Sequence, residues 1–427
     1  MRLRDVAAAA GLVAALVSPF PLIAAPADPP AAAPVSAAPQ PRVVTIEIEG
    51  ARRTRRETVL TLARVREGDP WREGLAEEAR QELANAGIFY DISVTPEPAD
   101  GGVRLRIALR EKWSLIAFPL VTVKDGETTW GATAVESNLL GTGSKLIATL
   151  AVREGAPGGR LLYIDPHLGG PLWQLFGALA YLDERRAVWD ADGETGTYRQ
   201  RNGGGTAALG YRFGRRTSVS AGLHVMDFNF SEPEGDAAPP ADAGERALVL
   251  MLRHEGTDRD EERRRGLGWD LRLQFGLRAL GDEVGRAAAD GTARWARTGD
   301  NGHTLDIRGY ALWTDTVDYE DGPPPSGFLR GYDADRFRPD RLLGGTVEYQ
   351  LPVARFREAS FMIVPFADAA LLRDEFRSFT PGDVQADAGL ALAVYVRRVA
   401  LPVLQLYAAY GFATGEVLPG FSLGVGF

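Results

Sequence analysis

A chain of 427 residues, 45% hydrophobic and 25% charged, has room for two or three soluble domains, or for one small domain and a large all-β body. A net charge of -9 and a pI near 5.2 exclude the basic footprint of a nucleic-acid binder, and 49 glycines with a mean hydropathy of -0.14 exclude a bundle of membrane helices. The absence of cysteine removes disulfide frameworks, thiolate metal sites and cysteine nucleophiles, and suits a chain that crosses an oxidising compartment unfolded.

Arg2 and Arg4 precede an apolar run from Val6 to Ala25, and Ala25-Pro26-Ala27 supplies small residues at a cleavage spacing. Residues 1–27 therefore read as a secretory signal peptide; Gly11, Pro19 and Pro21 weigh against a membrane anchor. Residues 28–41 are rich in alanine and proline, a solvated linker that buries no core.

Val43 to Gly50 alternates apolar and polar side chains and predicts a strand with one buried face. Thr54 is placed to cap a helix carrying Val59, Leu60 and Leu62 on one side, and Trp71 to Ala86 predicts a second helix that stops at Gly87. Ile88 to Thr95 and Val103 to Leu109 alternate as two further strands around the turn Asp100-Gly101-Gly102. The order β-α-α-β-β over residues 42–112 is a small α/β domain. Together with Ile48-Glu49-Gly50, Gly87-Ile88-Phe89 and Leu109-Arg110-Glu111, that order resembles a POTRA domain, the periplasmic polypeptide-transport-associated module. Such a domain offers a sheet edge to an extended peptide.

From Trp113 onward only short alternating runs occur. Leu271, Leu273, Phe275 and Leu277 alternate with Asp270, Arg272, Gln274 and Arg278; Leu305, Ile307 and Ala311 alternate with Thr304, Asp306, Arg308 and Tyr310. Alternation alone fits a sandwich or a membrane barrel, but about 16 runs of roughly 10 residues match an even-numbered antiparallel transmembrane barrel over residues 113–427. Connections alternate in length. Asp125-Gly126 and the segments Asp183 to Arg201, Phe230 to Gly244, Ala279 to Gly291 and Thr314 to Asp340 fall at one end; Leu140 to Gly143, Gly169 to Leu172, Phe213 to Arg216 and Arg397 to Leu401 fall at the other. Gly256 to Gly266 is longer than that pattern predicts. Gly424 and Gly426 have no side chains to pack, so the strand ending at Phe427 is expected to pair weakly with the first barrel strand, Leu115 to Val123, leaving a seam.

Several stretches resemble the Omp-eighty-five superfamily, which includes assembly factors of the BamA/TamA type and two-partner secretion translocators. They are Asn138-Leu139-Leu140-Gly141-Thr142-Gly143, Asp258-Arg259-Asp260 with Gly266, Phe328-Leu329-Arg330-Gly331-Tyr332, Gly344-Gly345-Thr346-Val347-Glu348-Tyr349, Phe366-Ala367-Asp368-Ala369-Ala370, and the aromatic terminus Phe427. Ala370 departs from the pattern, which has glycine there. The resemblance implies an outer-membrane protein with its POTRA domain in the periplasm, and a sixth extracellular loop folded into the lumen so that Arg330 meets Glu348 and Asp368. Arg330, Gly331, Tyr332, Glu348 and Asp368 then form a structural latch, not a catalytic set. The implied activity is insertion of β-barrel or other polypeptide clients, with a secretion translocator or plugged pore as the alternative. The implied partners are the outer-membrane bilayer, unfolded polypeptides and accessory proteins of the periplasm or outer membrane, with no nucleic acid.

Chemistry independent of the resemblance agrees: a carboxylate facing lipid at depth costs roughly 2 kcal/mol or less, so inward placement is favoured. The remaining motifs carry little. Gly141-Thr142-Gly143-Ser144-Lys145 lacks the glycine-to-lysine spacing of a phosphate loop, and Asp190, Asp192, Gly193 and Glu194 lack the distal glutamate of a calcium loop. His167, His224, His254 and His303 show no ligand spacing, and no residue is placed as a nucleophile with its base; no enzyme, metal or cofactor is expected.

Overall fold

The structure, a computed structural model, describes residues 41–124, 127–153, 155–189, 194–317, 319, 328–332, 337, 339–373, 384–399 and 403–423. The expected signal, the linker up to residue 40, the Asp190-to-Gly193 stretch, and Gly424, Gly426 and Phe427 of the expected seam lie outside those residues.

The small domain runs β1 (Arg42–Glu49), a helix Arg56–Ala63, a helix Leu75–Asn85, β2 (Phe89–Ala99) and β3 (Gly102–Glu111). Its sheet has the order β1-β3-β2, with β1 parallel and β2 antiparallel to β3. Val43, Ile46, Leu105 and Ile107 of the sheet pack on Val59, Leu62, Ala79 and Leu83 of the helices. A register irregularity between Val43 and Thr45 spaces the buried Val43 and Ile46 three apart, so the strict alternation expected of β1 breaks there. The second helix starts at Leu75 and not at Trp71, because Gly74 takes φ 88 just before it. Thr54 caps nothing: Arg55 holds the cap position without a side-chain bond, and Thr54 is buried. Pro96 and Pro98 sit within β2, tolerated because it is an edge strand of this sheet.

The body consists of β4 (Leu115–Lys124), β5 (Glu127–Leu139), β6 (Ser144–Arg153), β7 (Ala156–Asp165), β8 (Trp173–Trp189), β9 (Glu194–Phe213), β10 (Thr217–Gly235), β11 (Ala243–His254), β12 (Thr257–Asp260), β13 (Arg263–Gly276), β14 (Ala287–Thr298), β15 (Thr304–Thr314), β16 (Arg341–Arg355), β17 (Ala359–Arg373), β18 (Val384–Val396), β19 (Val403–Gly411) and β20 (Val417–Leu423). The strand order is a closed ring with β20 beside β4. Among the described residues the ring has seventeen strands; the four-residue β12 is a stub, and the other sixteen match the number expected from the sequence. β12 pairs with β13 in a hairpin from Thr257 to Gly266, which explains the over-long join. Two expected loops are also largely strand. β8, β9 and β10 reach 17, 20 and 19 residues, because their ladders continue through Val188↔Gly196 and Gly235↔Gly196.

Polarity is inverted relative to a soluble protein. Along β16, Thr346, Glu348 and Gln350 are buried while Val347 and Tyr349 are exposed; along β17, Val364, Phe366 and Asp368 are buried while Ile363, Pro365 and Ala367 are exposed. Period-two alternation therefore points Glu348 and Asp368 into the ring, beside the inward Val364 and Phe366, and leaves mostly apolar side chains facing out, the pattern of a barrel wall facing lipid. No helix among the described residues is long and apolar enough to cross a membrane, a statement that does not touch strands.

Candidate functional site

The site begins with one arginine inside the ring. Arg330 Nε and Nη2 donate to the two oxygens of Asp368 at 2.9 and 3.0 Å, and Nη1 donates to Glu348 Oε1 at 2.8 Å. The Phe366 ring lies 3.4 Å from its Cζ, so the guanidinium is held at its edge by charge and on its face by a π-system. Glu348 and Asp368 are each 1% exposed, on inward positions of β16 and β17. Gly331 follows because nothing larger fits: a Cβ there would lie 2.6 Å from Asp387 Cβ and 2.9 Å from Gly411 N. Tyr332 donates its hydroxyl to Ala386 O at 2.9 Å and accepts from Ala413 N at 3.2 Å, while Phe328 stacks on Tyr310 at 4.3 Å. The structure thus brings together all five residues expected at the latch.

The arginine is one rung of a longer ladder that sequence reading did not pair. Asp306 stands directly across from Glu348, a like-charge pair that would repel. Arg308 bridges them, with Nε 3.2 Å from Asp306 Oδ1 and Nη2 2.8 Å from Glu348 Oε2. Arg294 and Arg264 close on Asp306 from β14 and β13. Period-two alternation had put Asp306 and Arg308 on the polar face; only the cross-strand register shows what they meet. A second cluster also escaped the sequence: Glu245 accepts from Gln274 Nε2 at 2.6 Å and from Arg286 Nε and Nη2 at 3.0 and 2.9 Å, and Arg286 Nη1 donates to Tyr319 O at 2.7 Å. Tyr319 and Arg330 belong to the same connection between β15 and β16, which is therefore tied to the inner wall at two places.

The seam is placed only in part. Leu115 opens β4 and is exposed; Val123 pairs with Thr128 by backbone; β20 ends at Leu423. Among the described residues no group of three or more His, Asp or Glu is arranged to hold a metal ion.

The small domain meets the rim of the ring at two hydrogen-bonded joints, and also through ion pairs of Glu78 with Arg215 and of Asp91 with Arg397. At the first, Thr54 donates its hydroxyl to Glu111 Oε1 at 2.7 Å and accepts from Asn138 Nδ2 at 2.8 Å, while Asn138 Oδ1 accepts from Gly143 N at 2.9 Å. Arg55 N donates to Gly141 O at 3.1 Å across the same joint. At the second, Asn85 and Gln81 of the second helix bond the backbone of Arg259, and Asn85 Nδ2 donates to Asp258 Oδ1, all on the β12–β13 hairpin. Beside the second joint lies a cavity of about 410 Å³ lined by Tyr90, Ile92 and Ser93 of β2 and by Lys112, Arg259 and Arg264.

Burial raises the Glu111 carboxyl, but bonds from the Thr54 N–H and hydroxyl and from the Arg53 N–H outweigh it, and the net shift is below the usual 4.5. A carboxyl depressed in the folded state stabilises above its unfolded value and loses that contribution as pH falls through its lower folded one. The Arg53–Thr54 stretch is therefore expected to loosen from the end of β3 below about pH 4.5, with Glu111→Gln removing that pH dependence; protease cleavage near residues 50–56 against pH measures it.

Residues 41–112 match the family "POTRA: Surface antigen variable number repeat". No curated protein matches the sequence. The fold is similar to that of BamA from Haemophilus ducreyi lacking POTRA domains 1-3, at 15% identity and TM-score 0.51, covering 90% of this chain and 84% of that one. It is similar also to CdiB from Acinetobacter baumannii (13% identity, TM-score 0.60, 90% and 74% covered) and to CdiB from Escherichia coli (13%, 0.61, 90% and 75%). The chain therefore has the fold seen in these solved proteins, one POTRA domain followed by a closed barrel with a polar, charged inner wall.

Proposed function

We propose that the protein is an outer-membrane assembly factor of the BamA/TamA type, which inserts β-barrel or other polypeptide clients. The observation that carries this reading is the occupied lumen: the loop between β15 and β16 is held by Arg286 at Tyr319 and by Glu348 and Asp368 at Arg330. A client delivered to the rim then meets a lumen that holds this tied segment, and the seam between β20 and β4 is its way into the bilayer. β2, an edge strand of the POTRA sheet, supplies the delivery surface, since an extended client adds to it by backbone pairing and Ile92 and Ser93 already line the cavity at the mouth. Arg330, Gly331, Tyr332, Glu348 and Asp368 act here as a structural latch, and Leu115, Val123, Gly424, Gly426 and Phe427 as the seam.

The second reading is a translocator passing an extended polypeptide through the ring; the charged inner wall favours it, and it requires Arg330 to leave both carboxylates. Reconstituted in liposomes, the protein is expected to speed the folding of a urea-denatured small barrel by about ten-fold or more, read by the heat-modifiable shift on a gel. No acceleration with any barrel client, together with an ion current that rises when an extended polypeptide is added, would decide for translocation.

A further inference from the structure

The sequence Arg52-Arg53-Thr54-Arg55-Arg56 puts four arginines in five residues of an acidic chain, and the first joint with the barrel absorbs none of the first three guanidiniums. The Glu111 carboxylate is taken up by the N–H groups of Arg53 and Thr54 and by the Thr54 hydroxyl. Arg56 pairs with Glu67 at 3.4 Å. Arg52, Arg53 and Arg55 are exposed and form no side-chain ion pair among the described residues; Glu57, in the first turn of the helix, is an exposed acid beside them.

The turn to which the backbone of these arginines is bonded, and the stretch beside it, carry apolar side chains held out from the protein. Leu140, at φ 52 in the turn after β5, is 78% exposed. Its neighbour Gly141 is bonded to Arg55 N and lies so close to Arg53 O that a Cβ would stand 2.1 Å from it, so tip and arginines move as one body. Trp113 is 65% exposed and Leu115 63%, and the bond from Ser137 N to Ser114 O places that stretch against the same end of β5. Leucine and tryptophan beside arginines at the rim of a lipid-facing wall is the composition of a membrane interface: the apolar groups enter the acyl boundary and the guanidiniums meet phosphate with matched fork geometry.

We infer that Arg52, Arg53 and Arg55, with Leu140 and Trp113 as apolar anchors, form a binding site for anionic phospholipid headgroups in the leaflet facing the POTRA domain. The inference rests on the reading that β4 to β20 span a bilayer. It places the bound lipid at the foot of β4, one side of the seam, where the headgroup charge tethers the POTRA joint to the membrane surface.

The test titrates the purified full-length protein with phosphatidylglycerol and, separately, phosphatidylcholine, counting bound lipids by native mass spectrometry. Phosphatidylglycerol should be preferred, and R52Q/R53Q/R55Q should weaken its binding about a hundred-fold while leaving phosphatidylcholine unchanged. R52K/R53K/R55K, which keeps the charge, should stay within about ten-fold of the parent, and Arg52→Gln alone, whose side chain makes no bond in the joint, should show a partial loss if the triple variant fails to fold. Equal binding of the two lipids, no loss in either glutamine variant, or displacement of phosphatidylglycerol by inorganic phosphate would overturn the site. Vesicles made with and without phosphatidylglycerol separate the two levels of the argument: insertion into both without lipid preference defeats this site alone, and insertion into neither defeats the membrane reading.

Discussion

Arg330→Ala is expected to lower the stability of the folded barrel by about 3–5 kcal/mol, the cost of leaving a buried charge without its partner. Asp368 bears most of it. Glu348 keeps Arg308 at 2.8 Å, whereas Asp368 loses both of its side-chain donors from Arg330. Arg330→Lys keeps the charge but not the two-pronged bond or the flat contact with Phe366, and should fall between the parent and the alanine variant. The midpoint of heat-induced loss of the compact gel band measures the stability. Steady conductance in planar bilayers measures the second consequence, since a loop released at Arg330 leaves the lumen less occupied. An alanine variant with the parental midpoint and parental conductance removes the latch.

The second large effect belongs to a glycine. Gly141→Ala forces a side chain into a φ of +75 and sets its Cβ 2.1 Å from Arg53 O, a backbone atom that has no rotamer to move aside. Left-handed geometry alone costs roughly 1–2 kcal/mol, and the clash adds to it, so the first joint is expected to open. Gly155→Ala is the control: φ is +81 and nothing lies within 4 Å, so it carries the conformational cost without the clash. Because the chain has no cysteine, Gln81→Cys with Arg259→Cys gives a clean crosslink across the second joint, where Gln81 Nε2 bonds Arg259 O at 2.9 Å. Crosslinking should fall about ten-fold in the Gly141 variant and hold in the Gly155 variant. Equal yields would mean that the contacts outside the first joint suffice to seat the POTRA domain.

How far the sequence could be read depends on the range of the interaction that decides each feature. The element order of the small domain and the sixteen long strands follow from local periodicity, and local periodicity is what a sequence displays. Leu75 instead of Trp71 at the start of the second helix is a boundary error, set by a single glycine conformation. Thr54 failed for a different reason. Its hydroxyl serves an N-cap equally well in isolation, but Glu111 and Asn138 are 57 and 84 residues away and claim it first. The partners of Arg330 were supplied by family resemblance, since Glu348 and Asp368 are two among many acidic residues in the barrel. Nothing local announced that Tyr319 would be bonded by Arg286 through its carbonyl, because a backbone acceptor carries no residue signature.

The alternating ladder Asp368, Arg330, Glu348, Arg308, Asp306, Arg294 bears on how the ring could be assembled correctly. A slip of one residue between β15 and β16 would exchange the two faces of a strand, turning Glu348 toward lipid and Val347 and Tyr349 inward. Arg308 would then lose its bond to Glu348, and Arg330 one of its two carboxylates. Misaligned rings are thereby penalised at several rungs at once, while the correct one satisfies all of them. The row of buried charges therefore favours the correct strand register over a slipped one.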